Sequence, residues 1–128
     1  MKQSRWERWM IVGVLTAIGF ESSITQGADF EYEITDEGVT VVGYHGPGGQ
    51  VAVPGSIEGL AVTAIGPSAF FALHGITSVD LPDSLLRISD HAFNQCGDLR
   101  SISFGNSIRS IGDAAFLLTD LDGTLDLP

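Results

Sequence analysis

Apolar positions along this chain return in a fixed order. Shifting the sequence on itself by twenty-three residues sets Ile76 on Leu99, Val79 on Ile102, Leu81 on Phe104, Leu85 on Ile108, Ile88 on Ile111, Ala92 on Ala115 and Phe93 on Phe116. The same shift carries Val62, Ile65, Ala69, Phe70 and Leu73 onto Leu85, Ile88, Ala92, Phe93 and Cys96. Two shifts carry Val79, Leu81 and Pro82 onto Leu125, Leu127 and Pro128. An earlier copy, in which Val51-Ala-Val53-Pro54 corresponds to Val79-Asp-Leu81-Pro82, is offset by a five-residue insertion between Pro54 and Ile65. A repeat of this length marks a solenoid, in which each copy is one turn of a coil that buries its apolar face only by stacking on its neighbours.

Within each copy the pattern predicts a short strand first. Val79 and Leu81 alternate with Asp80, so one set of side chains points into the coil and the other outward. The inward ladder is then Val51/Val53, Val79/Leu81, Ile102/Phe104 and Leu125/Leu127, one parallel strand per copy. Pro54, Pro82 and Pro128 close their strands, because proline cannot donate to a ladder and its fixed φ turns the chain; Gly105 holds that slot in one copy. A second inward set, Leu85/Ile88 and Ile108/Ile111, closes the back of the coil, and Asp90 or Asp113 is expected to cap a short helical turn that carries Ala-Phe into the core.

Ahead of the repeats the period changes to two. Phe30-Glu-Tyr-Glu-Ile34 alternates apolar with polar, Thr35-Asp-Glu-Gly38 supplies turn chemistry, and Val39-Thr-Val-Val-Gly-Tyr44 returns. This predicts a hairpin that caps the first coil, whose apolar interior and strand edge would otherwise face water. His45-Gly-Pro-Gly-Gly49 reads as a loop; a phosphate cradle would need a helix to start there, and a strand follows instead.

With these positions set out, the pattern L-x-x-I-x-I-P-x-x-(V/I)-x-x-I-(G/S)-D-x-A-F-x-x-C resembles the BspA-like leucine-rich repeat, and Gly43 to Phe70 resembles its usual first repeat. The match runs from about Phe30 to Pro128, with Gly105 in place of proline, Cys96 lacking a counterpart in Leu73 and Thr119, and Leu121 displaced by one residue relative to Leu99. The resemblance implies a mainly β leucine-rich-repeat solenoid with stacked short parallel strands, short helical turns and an N-terminal β-hairpin cap. It also implies a secreted or surface-displayed, non-enzymatic protein used in adhesion or partner binding, and often only one portion of a longer polypeptide. Residues 29–49 are assigned to the cap hairpin and loop, and residues 50–128 to about three repeats, the last truncated.

Composition narrows the function. Sixteen Gly and five Pro suit many tight turns and few long helices. A net charge of −10 argues against nucleic acid and against an anionic membrane surface, both of which need a basic footprint. Lys2, Arg5 and Arg8 precede the apolar run Trp9 to Phe20 and a small-residue stretch ending at Ala28, the order of a secretory signal peptide over residues 1–28, cleaved after Gly27 or Ala28. That run is shorter than the roughly 20 residues needed to span a bilayer, so no membrane attachment is expected after cleavage. The expected destination is outside the cytoplasm: extracellular, cell-surface or periplasmic. In the remaining body Arg87, Arg100 and Arg109 are the only bases, against fourteen acidic residues.

Candidate chemistry is sparse. His45 lies in a turn, His74 and His91 occupy different slots of successive copies, and no G-x-S-x-G motif accompanies them, so no catalytic residue is assigned and no enzyme is expected. Asp90 and Asp113 lie one copy apart, but a calcium ion wants six to eight oxygens, so no metal and no cofactor are assigned. Cys96 shares its slot with Leu73 and Thr119 and is expected as a small buried packing residue rather than an exposed thiol. What remains is the outward row of the strands, Gln50, Ala52, Ser78, Asp80, Ser101, Ser103, Thr124 and Asp126, a flat polar face for an unidentified protein or glycan. Two functions follow: an exported binding or structural module without chemistry of its own, or the N-terminal portion of a larger exported enzyme or surface protein. No polar cap is visible after Leu121 to Pro128, so either the chain is a fragment of a longer array or its final edge pairs with another chain.

Overall fold

The computed structural model describes residues 29–122. Strand β1 (Phe30–Thr35) pairs antiparallel with β2 (Gly38–Tyr44), the hairpin that the period-two pattern predicts. Its turn is closed by the Thr35 hydroxyl, which accepts from the Glu37 amide and donates to the Gly38 carbonyl, each at 3.1 Å. Phe30, Tyr32, Val39 and Val41 face inward and are buried, while Glu33 stays exposed on the wet side.

The repeats then wind into a coil with a parallel sheet on two of its sides. One sheet runs β3 (Gly49–Ala52), β6 (Ile76–Asp80), β8 (Ser101–Ser103), and Val51, Val79 and Ile102 are register partners across it. The other is the path β1-β2-β5-β7-β9, with β5 (Leu60–Ile65), β7 (Arg87–Ile88) and β9 (Ser110–Ile111) bringing Ile65, Ile88 and Ile111 into line. Because β2 pairs parallel with β5, the cap forms the first layer of the second sheet and covers its edge. Where Pro would recur, Gly105 passes so close to the Pro82 carbonyl and Asp83 backbone that any Cβ would collide, so this copy of the turn takes glycine.

The five-residue insertion has a structural purpose. It folds as a small hairpin in which β4 (Ser56–Ile57) pairs antiparallel with the start of β5 through a Glu58-Gly59 turn. Both turn residues have positive φ, 59° and 80°, the conformation of the tight hairpin turns whose twist matches the flanking strands. The turn aims Glu58 at the cap, where the phenol of the buried Tyr32 donates to its Oε2 at 2.9 Å. The insertion therefore clips the cap to the first coil.

On the third side, helical turns were expected and a run of tight turns is found; no helix occurs among the described residues. Ser68, Phe70 and Ala72 donate their amides to the carbonyls of Asp90, Ala92 and Asn94 in the next coil, whereas Ala69, Phe71 and Leu73 close turns three residues back. The pattern repeats from His91, Phe93 and Gln95 to Asp113, Ala115 and Leu117. A helix would spend every amide within its own turn. Here alternate amides are spent between coils, which continues the sheets' ladder around the corner. Left-handed residues make this geometry, and they too recur every twenty-three residues: Ser68, His91 and Ala114 (φ 56°, 58° and 55°), then Ala72, Gln95 and Leu118 (58°, 67° and 62°). Asp90 caps no helix; its Oδ1 accepts from the Asp113 amide at 2.8 Å, across to the next coil. Gly112 makes room for that carboxylate, since a Cβ there would overlap Asp90.

The interior is organised by an aromatic column. Tyr44, Phe70, Phe93 and Phe116 stack with centroids 5.6, 4.8 and 5.4 Å apart and rings within 22° of parallel. Val51, Val53, Val79, Leu81, Leu85 and Ile88 are buried, as the inward ladders require. In the last described coil Ile102, Phe104, Ile108, Ile111 and Phe116 are only partly buried. Leu125 and Leu127 of the predicted ladder lie outside the described residues. Cys96 is fully buried, with its thiol donating to the Phe70 carbonyl at 2.9 Å.

Candidate functional site

The outward side of the β3-β6-β8 sheet assembles most of the residues that alternation assigned to it. Gln50, Ser78 and Ser101 are register partners and form one column; Ala52, Asp80 and Ser103 form the next. All are exposed except Ser78, which is half-buried. Parallel strands lie about 4.8 Å apart, so each column is a close-set row of short side chains, and the surface is flat because none is larger than glutamine. Thr124 and Asp126 lie outside the described residues.

The face is also held in place. The Ser103 hydroxyl donates to Asp80 Oδ1 at 2.9 Å, tying the two coils on the outer surface. At the start of β6, Asp98 Oδ2 accepts from the Gly75 amide at 2.8 Å, and beyond its end Asp83 Oδ1 accepts from the Asn106 amide at 3.2 Å. Sequence reading missed Asp83 and Asp98, because both stand in turns between the periodic apolar positions. Their link across twenty-three residues was the available signal, since each partner falls one copy away.

Elsewhere the chemical groups are separated. His45 pairs with Glu31 on the cap, and Asn94 Nδ2 lies 2.9 Å from His91 Nδ1. The shallow hollow beside His45 and His74 is lined otherwise by Tyr44, Leu73, Ile76 and glycines, with no nucleophile in it. The Gly-rich loop ends by donating the Gly49 amide to the Gly75 carbonyl at 2.7 Å and runs into β3, so its amides serve the coil. Burial pushes the Cys96 thiol above its ordinary range and outweighs the opposite pull of the Leu73 backbone, so the thiol stays a protonated packing group. Among the described residues no three His, Cys, Asp or Glu side chains are grouped to hold a metal ion. The carboxylate of Asp90, which a cation shared with Asp113 would need, is engaged with a backbone amide. No helix among the described residues is long and apolar enough to cross a membrane.

A coil of parallel strands, tight turns and an inward ladder of aliphatic and Phe residues, closed by a hairpin, is the build of a bacterial-type leucine-rich-repeat solenoid. The chain belongs to the BspA type leucine rich repeat family, whose six-copy model matches residues 57–124. Among solved structures it is similar to the leucine rich repeat protein of T. pallidum, at 33% identity over 70% of this chain and 43% of that one, with a TM-score of 0.68. A leucine rich cell surface protein from Faecalibacterium prausnitzii A2-165 shares the fold at 24% identity and a TM-score of 0.63, over 70% of this chain and 26% of that one. A leucine-rich repeat protein from Bacteroides capillosus shares it at 23% identity and a TM-score of 0.62, over 76% of this chain and 93% of that one. The chain thus spans less than half the length of the first two. No curated protein matches it.

Proposed function

We propose that this chain is an exported leucine-rich-repeat module that binds a protein or glycan across the outward face of the β3-β6-β8 sheet and performs no chemistry itself. The observation that carries this reading is the pair of exposed columns, Gln50/Ser78/Ser101 and Ala52/Asp80/Ser103, held flat and in register by the ladder beneath them. The cell-surface description of one structural neighbour and the leader-like pattern of residues 1–28 support the exported location.

Two measurements test it. Expressed with its natural N-terminus in a bacterial host, the chain is expected in the exported fraction with a new N-terminus at Ala28 or Asp29; full-length chain retained in the cytoplasm would overturn the location. On arrays of glycans and surface proteins, Ser101→Trp is expected to abolish whatever binding the native chain shows while leaving its circular dichroism unchanged. Binding that survives this block would remove the face from the proposal.

A second reading, in which these repeats form the N-terminal portion of a larger exported enzyme or surface protein, is supported by the greater length of two neighbours. An antibody to the repeats, used on the native source, would separate the two by polypeptide size. The partly buried residues of the last described coil also support self-association through the C-terminal edge. Light scattering coupled to size exclusion should then show a concentration-dependent dimer, and a monomer at all concentrations would exclude it.

A further inference from the structure

We infer that the partner of the β3-β6-β8 face is a basic polypeptide segment in extended conformation, bearing Lys or Arg side chains about four residues apart; the inference rests on the assignment of this face as the binding surface. Its first support is shape. The face is built of short side chains, with a bed of Gln50, Ala52, Ser78, Ser101 and Ser103 that offers hydrogen bonds and a hollow at its β3 edge, lined by Gln50, Ala52, Tyr44 and Pro47 among the described residues. An extended chain lying along the strands fits such a bed and can set one side chain into the edge hollow.

The second support is charge. Asp98 marks the start of β6 and Asp80 its end, with Asp83 just beyond. Asp98 is fixed at the Gly75 amide, five residues before Asp80 along a strand in which Thr77 is a bulge residue, so about four strand rises, roughly 13 Å, separate the backbone positions that hold the two carboxylates. Asp80, Asp83 and Asp98 each spend one oxygen on a serine hydroxyl or backbone amide of the adjoining coil. Among the described residues the second oxygen of each carries no hydrogen bond or ion pair, and it is already oriented by the first. Among the described residues Arg100, just before β8, is the one base in or next to these strands, and Asp120 engages it at 3.6 Å. A guanidinium or ammonium at either end of the bed therefore meets a placed, unspent acceptor, while an anionic glycan or acidic peptide would be repelled. In an extended segment residues i and i+4 point the same way and lie about 13 Å apart, which matches the spacing of the two acidic ends.

The test uses the purified chain and labelled nine-residue peptides in fluorescence anisotropy. One peptide alternates Thr and Ser with Arg at its third and seventh positions; a second places the two Arg side by side, a third replaces them with Glu, and a fourth with Gln. The spaced Arg peptide should bind best, and the triple variant Asp80→Asn, Asp83→Asn, Asp98→Asn should weaken it about tenfold. Asparagine keeps the oxygen that accepts from Ser103, Asn106 or Gly75, so the coil should stay folded, as circular dichroism can verify. The triple Glu33→Gln, Asp36→Asn, Asp113→Asn removes the same charge away from the face and should leave binding within about twofold. Equal losses in both triples would overturn the inference, because the attraction would then be net charge alone. Preference for the Glu or Gln peptide, abolished by Ser101→Trp, would overturn the basic partner and leave the face standing. No binding of any peptide that Ser101→Trp can abolish would overturn the basic extended partner and leave the face to the array measurement, in which a glycan or folded protein can still bind it.

Discussion

At its N-terminal end the coil is roofed by a hairpin, and Phe70 in the first full coil is completely buried between Tyr44 and Phe93. At the other end of the described residues Phe116 occupies the same slot, stacks on Phe93 alone along the column, and is only half-buried. The two phenylalanines come from the same place in the repeat, and they differ in how many rings of the described column enclose each, two for Phe70 and one for Phe116. A coil of this kind makes its core on the surface of the next, and stability is a sum over such faces. That is why the first face needs a purpose-built cap, with its own period and its own clip.

The largest expected effect compares those two slots directly. Phe70→Ala should cost about 3–5 kcal/mol, because it empties a site enclosed on both sides. Phe116→Ala should cost less than half as much, since its ring already gives part of its area to water. Urea unfolding of both variants measures this; equal losses would mean that the last coil is covered as completely as the first.

A second effect tests the clip. Burial, then the Glu58 carboxylate beside it, holds the Tyr32 phenol far above its ordinary value of 10.0, and burial with Asp29 nearby raises that of Tyr44. Both groups hold their protons to higher pH in the fold than in the unfolded chain, which loses them as pH passes 10, so stability is full below that pH and falls above it. The slope should approach about 1.4 kcal/mol per pH unit for Tyr32, with a smaller share from the less buried Tyr44. Tyr32→Phe should flatten most of that decline and cost about 1 kcal/mol at neutral pH, the net worth of one hydrogen bond. Thermal unfolding at pH 7 to 11 reads both, and an undiminished alkaline decline in Tyr32→Phe would assign it to other groups.

Much of this architecture was legible because the period carried it. Stacking Ile65, Ile88 and Ile111, or Val51, Val79 and Ile102, needs only that buried positions stay apolar. What escaped was whatever broke the period or hid behind it. Glu58 sits in the insertion, with no counterpart to reveal that it reaches the cap. Tyr44 joins the Phe column from twenty-six residues before Phe70, outside the ruler, because a hairpin rather than a coil delivers it. The tight turns at Ser68 to Leu73 passed for helical turns because their left-handed positions hold Ser, Ala, His, Gln and Leu in place of Gly or Asn. On the outward side of the β3-β6-β8 sheet, alternation found Asp80 and Ser103 but not Asp83 or Asp98 at its ends, whose place follows from backbone amides that no side-chain pattern shows.

Those amide pins allow a finer comparison between coils. Asp90→Ala removes the acceptor for the Asp113 amide and should cost about 1 kcal/mol, while Asp90→Asn, which keeps an accepting oxygen, should cost less than half of that. Chemical denaturation of the pair separates the hydrogen bond from the charge; equal losses would mean that charge rather than the bond matters.

The smallest expected effect is a gain. Gln95 and Leu118 occupy one slot in successive coils, with φ of 67° and 62°, and both are exposed. A side chain in this region costs about 1–2 kcal/mol, and glycine loses roughly 0.5–1 kcal/mol of chain entropy on folding, so Gln95→Gly should stabilise by about 0.5–1 kcal/mol. The ladder is untouched, since a glycine at 95 still donates its amide to the Leu117 carbonyl. Glu33→Gly, at an exposed position of the extended β1, should destabilise by a similar amount because no left-handed strain is relieved there. Leu118→Gly completes the test. If strain in the turn is purely local, it should gain as much as Gln95→Gly despite standing in the less enclosed coil. A gain confined to the inner coil would mean that the left-handed conformation is imposed by stacking and relaxes in the outermost described coil.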